Sequence, residues 1–354
     1  MLQVYNSTDV LQCQVTPYID TITRASNLDI NQAKTLVYYC VFTWCPNPTH
    51  KPLLNLNGET GTGKNALMKI TYNWCCRPIL IKAENITAPT LRDRLANSGT
   101  AFVEEADKVK APKECEIWFK MRYDDTSKEV PYKAQRTNSK QVNYNKEEIT
   151  NHFGYTILHT QNPFQSIELD RRIIRIDIVK DTNRSYGLPR TDLSNDILRQ
   201  IASNINWDTE VEGSGSAWDC WLPLMRIAGY LEDNEFMHYT FKCIEEKTEE
   251  SNQSKVFEPK GVVLSEIIPC YRACLTTSQN KIPITDITKT IKSRSLTFYP
   301  DERQVTGLTK QLGFEVYYPG NKAHIKVKTR EELESIVSRH GIGIETLEQI
   351  EVSA

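Results

Sequence analysis

Leu53-Leu-Asn-Leu-Asn-Gly58-Glu-Thr-Gly61-Thr-Gly63-Lys64-Asn65 is the stretch of this sequence that decides the fold. A short, mostly apolar run enters a glycine-rich turn, and the helical run Ala66-Leu-Met-Lys-Ile-Thr-Tyr72 follows directly. Glycines permit backbone conformations that point successive N–H groups inward, and the start of a helix adds its positive end. The stretch therefore predicts a strand, an anion-binding loop and a helix.

The loop matches the phosphate-binding pattern G-x-x-x-x-G-K-[ST] at every position except the last. Lys64 would reach the β- and γ-phosphates of a nucleotide as a point charge. Asn65 replaces the Ser or Thr whose hydroxyl normally contacts Mg²⁺. A turn without a ligand is the alternative, but it leaves the lysine unexplained. The predicted nucleotide-binding residues are Gly58, Glu59, Thr60, Gly61, Thr62, Gly63, Lys64 and Asn65.

Length and composition restrict the class of protein. A chain of 354 residues predicts two or three folded units, and a net charge of −2 means that nucleic-acid binding requires local basic patches. The sequence has neither a signal-peptide pattern nor an apolar run long enough to span a bilayer, so we expect a soluble, cytoplasmic protein. The 10 cysteines are scattered without zinc-finger spacing, and we expect buried thiols.

Five short hydrophobic runs, separated by helical stretches, predict an α/β fold with a parallel five-stranded sheet flanked by helices. The runs cover residues 53–57, 78–83, 100–103, 155–160 and 173–179. Ligands on such sheets bind at the carboxyl ends of the strands. The glycine-rich loop, the acidic pair Glu104-Glu105 and the turn ending at Asn162 each follow one of these strands, so we expect them at one edge.

The acidic pair has a specific use beside a triphosphate. We assign Glu104 to Mg²⁺ and Glu105 to activation of the attacking water, which Asn162 would orient. The alternatives are a solvated acidic loop after a strand and an ordinary turn at Asn162-Pro163.

The order of motifs in this sequence resembles that of the AAA+ ATPases. The motifs are residues 58–65, Glu104-Glu105, Asn162 and the pair Arg171-Arg172. The resemblance implies that Asn162 is sensor 1 and that Arg171 or Arg172 is an arginine finger reaching a neighbouring subunit's γ-phosphate. We favour Arg172, because it directly precedes the last strand. A surface pair flanked by acidic residues is the alternative. Asn65 and Glu104 depart from the family's usual Ser or Thr and Asp, and both departures touch the metal position.

Residues 106–154 are rich in Lys and Arg and contain Val130-Pro-Tyr-Lys-Ala and Gln141-Val-Asn-Tyr-Asn, which flank the turn-rich segment 136–140. This pattern predicts a β-hairpin. Its place resembles the pre-sensor-1 hairpin of AAA+ helicases, which implies that Lys133, Arg136 and Lys140 contact DNA phosphates. A solvated surface hairpin is the alternative.

The last third of the chain begins after the flexible break Glu212-Gly-Ser-Gly-Ser216. A helical run from Trp218 resembles the lid of replication ATPases, which makes Arg226 a sensor 2 candidate. A plain amphipathic helix with an exposed arginine is the alternative. Predicted helices at residues 284–291 and 303–312, followed by a hairpin at 315–328, resemble a winged-helix domain. That resemblance implies DNA contacts from Arg303, Lys310 and Lys326. Winged helices also dock proteins, which is the alternative.

We expect four parts: a helical lead-in (residues 1–45), an AAA+ core with the hairpin (46–182), a helical lid (183–260) and a winged helix (261–354). The leading hypothesis is an ATP- and Mg²⁺-dependent DNA helicase of a mobile genetic element. It would act as a homo-oligomeric ring, a hexamer, on single- and double-stranded DNA. One alternative is a DNA-bound initiator, loader or regulator that hydrolyses ATP without unwinding. Another is a nucleotide-binding scaffold without turnover.

Overall fold

The structure is a computed structural model, and it divides the chain into two compact units, Met1–Ile244 and Glu245–Ala354. Among the helices that the structure describes, none combines the length and apolar composition needed to cross a membrane. The described residues are 7–96, 99–123, 129–133, 136–138, 141–143, 147–162, 164, 166–180, 193–208, 212–257, 259–277, 279–294 and 300–340.

Within its described residues the first unit contains nine strands and eight helices, and a ninth helix begins in it. The helices are α1 (Ser7–Ala25), α2 (Ile30–Phe42), α3 (Lys64–Tyr72), α4 (Ala88–Leu95), α5 (Pro112–Tyr123), α6 (Ile167–Asp170), α7 (Asp196–Asn204), α8 (Ser216–Tyr230) and α9 (Asn234–Phe257). The strands are β1 (Leu53–Asn57), β2 (Pro78–Lys82), β3 (Thr100–Glu104), β4 (Glu129–Lys133), β5 (Arg136–Asn138), β6 (Gln141–Asn143), β7 (Glu147–Asn151), β8 (Tyr155–Thr160) and β9 (Ile173–Asp177).

Five of these strands form a parallel sheet in the order β2-β3-β8-β1-β9. The three central strands β3, β8 and β1 are buried along nearly their whole length, since helices flank the sheet. Continuous apolar runs are typical of parallel strands covered on both faces. The predicted α/β fold and all five predicted strands are confirmed.

Helix α2 lies within the predicted helical lead-in and begins at a side-chain cap. Asp29 caps it in a capping box, accepting hydrogen bonds from the N–H groups of Asn31 and Gln32 at 2.8 Å. Helix α1 falls within the predicted helical lead-in, residues 1–45. Helix α5 was not predicted, because alternating charges hide its buried face.

The predicted hairpin between α5 and β8 is present, but its strands pair differently from the expectation. Antiparallel pairing joins β4 to β7 and, nearer the turn, β5 to β6. The sequence placed residues 130–134 opposite 141–145, whereas Pro131 lies opposite Ile149. A polar hairpin has no strict inward and outward alternation, so its sequence specifies register weakly. Lys140 lies outside the described residues.

Arg122, near the end of α5, is fully buried at the base of the hairpin. Its guanidinium donates to Leu95 O at 2.9 Å, to Gly99 O at 3.1 Å and to Thr156 Oγ1 at 2.6 Å. Burial lowers its pKa to about 9. Arg122 therefore ties together α4, the start of β3 and the start of β8, at the point where the chain leaves for the hairpin.

The second unit contains α10 (Pro259–Thr277), α11 (Ile284–Arg294), α12 (Glu302–Leu312) and α13 (Arg330–Arg339), with strands β10 (Lys281–Pro283), β11 (Val316–Tyr317) and β12 (His324–Lys326). The strands form an antiparallel sheet in the order β10-β12-β11. Asp301 caps α12 in a capping box, and Gly313 ends it with φ 97°. The predicted helices and hairpin are confirmed, whereas β10 and α13 were not predicted.

Replacing Gly154 with Ala should destabilise the first unit, because a Cβ there would lie 2.7 Å from Cζ of Arg122. We expect the free energy of unfolding to fall by about 1–3 kcal/mol. Chemical denaturation followed by tryptophan fluorescence is specific to this unit, because all 6 tryptophans lie in it.

Gly229→Ala is the matched control within the same unit. It lies in α8, and a Cβ there meets nothing within 4 Å. It should raise stability by about 0.5–1 kcal/mol, since Ala favours a helix over Gly. Equal stability of the two variants would contradict the role given to Arg122.

Candidate functional site

The glycine-rich loop, the acidic turn after β3 and the turn after β8 meet at the carboxyl edge of the parallel sheet. Strand β8 lies between β1 and β3, so its end contacts both neighbours. The N–H of Gly58 donates to Thr160 O at 3.2 Å, and the N–H of Ala106 donates to His159 O at 3.0 Å. The structure therefore brings together the three polar clusters that the sequence placed at this edge.

Two glycines determine the path of the loop. Gly58 packs so closely that a Cβ would lie 2.5 Å from the carbonyl oxygen of Ile178. Gly63 has φ 92°, in the left-handed region, and precedes the first residue of α3. The N–H groups of Ala66 and Leu67 bond back to Gly63 O, which starts the helix directly behind the loop.

Lys64 folds back into this loop and is 6% exposed. Its Nζ donates to the carbonyl oxygens of Gly58 and Glu59, the latter at 2.6 Å, and to Thr62 Oγ1 at 3.4 Å. Burial lowers the pKa of Lys64, against the opposing effect of Asp107 and Glu105. Neutral carbonyls are weaker partners for an ammonium than phosphate oxygens. The site therefore fits a phosphate, which Lys64 can take up in exchange for these contacts.

The two predicted metal ligands stand on different elements. Asn65 is exposed in the first turn of α3, and Glu104 is half-buried as the last residue of β3. Within the described part of the chain, no group of three or more His, Cys, Asp or Glu residues is arranged to hold a metal ion by itself.

Glu105 has an unusual backbone for a residue with a side chain, with φ 55°. Its carboxylate accepts from Lys108 Nζ at 2.9 Å. It also raises the pKa of Lys64, so the predicted water activator lies near the phosphate loop.

Asp107 is a site residue that the sequence analysis did not assign. Its Oδ2 accepts from the N–H of Gln161 at 3.2 Å, and from the N–H and Nδ2 of Asn162, each at 3.1 Å. Its Oδ1 is buried without a hydrogen-bond partner among the described residues. The sequence feature that could have identified Asp107 is its place as a third carboxylate in the acidic run, two residues after Glu105.

His159 is the second unassigned site residue and is 4% exposed. Its Nδ1 accepts from the N–H of Glu105 at 3.4 Å, and its Nε2 is buried without a hydrogen-bond partner in the described ranges. Burial, reinforced by the charge of Lys64, lowers its pKa to about 4. The signal was an ionisable residue within an otherwise apolar strand.

Polar side chains also join the end of β8 to the phosphate loop. Gln161 Nε2 donates to Thr60 Oγ1 at 2.9 Å, and the buried Asn55 donates to Thr160 Oγ1 at 3.0 Å. A displacement of the glycine-rich loop would therefore also displace the turn that carries Asn162.

Arg171 and Arg172 lie at the opposite edge of the sheet, where β9 begins. The carbonyl of Arg172 accepts from the N–H of Leu53, the first residue of β1, at 3.0 Å. Its guanidinium lies 5.2 Å from the ring centroid of Tyr123. Nε and Nη2 of Arg171 are buried without a hydrogen-bond partner in the part of the chain described. Neither arginine reaches the phosphate loop of its own chain.

Arg226 on α8 lies at this same amino-end edge. It lines a cavity of about 320 Å³ together with Asp208 and residues 47–50, which precede β1. Cys45, also in the cavity wall, accepts at its carbonyl from the hydroxyl of Tyr155, the first residue of β8, at 2.6 Å. The structure therefore separates the sensor 2 candidate from Lys64 of the same chain.

The predicted DNA-contacting residues fall on both units, which are considered separately. Lys133 ends β4 and Arg136 begins β5. In the second unit, Arg303 is exposed on α12, and Lys310 Nζ lies 5.2 Å from the ring centroid of Tyr318. Lys326 forms an ion pair with Glu315 at 3.1 Å.

The unfolding free energy should fall as the pH drops from about 6.5 to 4. His159 and the fully buried His152 each have a folded-state pKa of about 4, below the ordinary 6.5. In this window the unfolded chain binds protons that the folded chain does not, so acid favours unfolding. Each residue contributes up to about 1.4 kcal/mol per pH unit.

The two histidines together make the unfolding free energy fall with decreasing pH, and His159→Asn should remove about half of that pH dependence. The charged groups acting on His159 are Lys64, Glu105, Asp107 and Lys108. Denaturant titrations at pH 5, 6 and 7 measure the slope, and His238→Asn, an exposed position on α9, is the control. An unchanged slope in His159→Asn would contradict the prediction.

No protein-family model matches this chain, and no curated protein matches it in sequence.

Proposed function

We propose that this chain is an ATPase of the AAA+ type that works on DNA as a homo-oligomeric ring, with the activity of a mobile-element replicative helicase. The observation that carries the proposal is the arrangement around Lys64. A buried lysine lies within a loop of glycines at a helix start, and at the same edge of the sheet Glu105 directly follows β3 and Asn162 lies in the turn after β8. This arrangement suits phosphoryl transfer to water.

Each residue has a distinct role in this proposal. The loop N–H groups and Lys64 bind the phosphates of ATP, Glu105 accepts the proton of the attacking water, and Asn162 orients that water. Asn65 and Glu104 would hold Mg²⁺, which supplies neutralisation of phosphate charge when bound.

The position of the arginines supports assembly into a ring. Arg171, Arg172 and Arg226 gather at the amino-end edge, while the phosphate loop occupies the carboxyl edge. In a head-to-tail assembly one subunit's amino-end edge can face the next subunit's nucleotide. An arginine supplied in this way stabilises the transition-state charge. The proposal therefore keeps the arginine finger as a contribution from a neighbouring subunit.

Two elements support action on DNA. The hairpin of β4 to β7 is inserted in the chain between β3 and β8, at the place where AAA+ helicases carry a pore hairpin. The second unit has two helices followed by a two-stranded hairpin, in the order of a winged helix. Arg303 and Lys310 share the exposed face of α12. We propose that this helix contacts duplex DNA.

Lys64→Ala and Glu105→Gln should each lower ATP hydrolysis by about 10²-fold or more. Glu105→Gln should still bind ATP, because it removes a base and not a phosphate ligand. Steady-state turnover with and without single-stranded DNA measures the effect, and Lys69→Ala, exposed on the same helix, is the control. Hydrolysis stimulated by DNA supports the motor.

Three other outcomes would decide between the remaining functions. Turnover that ignores DNA, without strand displacement, favours an initiator or regulator. Tight ATP binding without turnover favours a scaffold and points to Asn65 and Glu104 as the cause. A wild-type chain that fails to bind ATP would overturn the proposal.

Replacing both Arg303 and Lys310 with Ala should weaken duplex binding and reduce its salt dependence. Removing one side chain that binds a DNA phosphate lowers the slope of log K against log salt by about 0.9. Titration of labelled duplex over a salt series measures the slope, with Lys260→Ala, exposed on α10, as the control. A slope equal to that of the wild type would instead favour a protein-docking role for the second unit.

A further inference from the structure

We infer that His159 and Asp107 are positioning residues of the proposed site. His159 fixes the backbone of Glu105, and Asp107 fixes Asn162, so that the ends of β3 and β8 form one preorganised body. The inference rests on the proposed ATPase function and deepens it, because it names what holds the water activator and the water-orienting amide in place.

Glu105 needs such support because its backbone conformation is strained. A φ of 55° is uncommon for a residue with a Cβ and persists only where the surroundings impose it. Three hydrogen bonds do so here. The N–H of Glu105 donates to His159 Nδ1, the N–H of Ala106 donates to His159 O, and the N–H of Lys108 donates to Glu105 O at 2.9 Å. Two of the three end on His159, one through its side chain and one through its backbone.

The contact with Glu105 also determines the tautomer of His159. Because Nδ1 accepts a hydrogen bond, the single hydrogen of the neutral imidazole resides on Nε2. That N–H is buried in the site and finds no acceptor among the described residues. A buried donor without a partner is costly unless a ligand supplies one. The neutral Nε2–H form therefore keeps Nδ1 free to accept from the N–H of Glu105.

Asp107 performs the corresponding task for Asn162. One carboxylate oxygen accepts from two consecutive backbone N–H groups and from the side-chain Nδ2 of Asn162. With Nδ2 directed to Asp107, the amide can turn its carbonyl oxygen away from the carboxylate. An amide held in this way accepts a hydrogen bond from water in one defined direction.

Two substitutions at position 159 separate positioning from packing. Asn places an amide oxygen near the position of Nδ1 and can accept the Glu105 N–H, whereas Leu fills similar space without an acceptor. His159→Leu should lower kcat by about 10²-fold with the KM for ATP little changed. His159→Asn should recover at least about tenfold of that loss. Equal kcat values for the two variants, or a loss confined to KM, would overturn the inference.

A double-substitution cycle tests Asp107. Asp107→Ala should lower kcat about as much as Asn162→Ala. The double variant should lose no more than either single variant, because each substitution removes the hydrogen bond between Asp107 and the Asn162 side chain. A purely structural role for Asp107 predicts additive losses, and additivity would count against the inference.

The tautomer gives a readout that does not require activity. The chain has 6 histidines, so ¹⁵N-histidine labelling of the full chain gives few signals, and His159→Asn assigns the relevant one. At pH 7 we expect His159 as the neutral Nε2–H tautomer. An Nδ1–H tautomer or a protonated ring would overturn the inference even if the chain hydrolyses ATP. An inactive chain with the expected tautomer would count against the proposed function alone, and a His159→Leu variant that does not fold leaves this readout intact.

Discussion

The pairing of β8 with β1 on one side and β3 on the other is the constraint on which the site depends. Parallel strands end at the same edge, so this one arrangement places the turn carrying Asn162 between the phosphate loop and the acidic turn. Hydrogen bonds from Gly58 to Thr160 and from Ala106 to His159 extend the sheet pairing beyond the strand ends. The candidate site is thereby built on backbone that is hydrogen-bonded into the sheet, which is a condition for preorganised electrostatics.

One buried positive charge lies at each of the two edges of the sheet. Lys64 at the carboxyl edge and Arg122 at the amino edge both donate to backbone carbonyls. Burying a charge is costly, so each site must offer good acceptors. The guanidinium of Arg122 is enclosed by three segments and acts as a structural tie. The ammonium of Lys64 lies within the glycine-rich loop and donates to neutral oxygens of that loop, which are weaker partners than phosphate oxygens.

The proposed ring depends on the different side chains at the two edges of the sheet. Acidic and phosphate-binding groups share one edge, and Arg171, Arg172 and Arg226 share the other. In the proposed ring, a second chain would therefore bring its arginines to the nucleotide site of the first. The base of the hairpin lies beside Arg122, which bonds to Thr156 near the start of β8.

The sequence by itself determined the elements whose signals are local. Apolar runs predicted the five strands, and the glycine-lysine turn predicted the loop. The sequence did not predict contacts between residues that are far apart in the chain. Asp107 meets Asn162 across 55 positions and Glu105 meets His159 across 54. Arg122 and α5 appeared as surface charge, and the hairpin register was not specified. Only tertiary structure decided these features, because burial and hydrogen-bond pairing depend on which strands become neighbours, and no local pattern encodes that order.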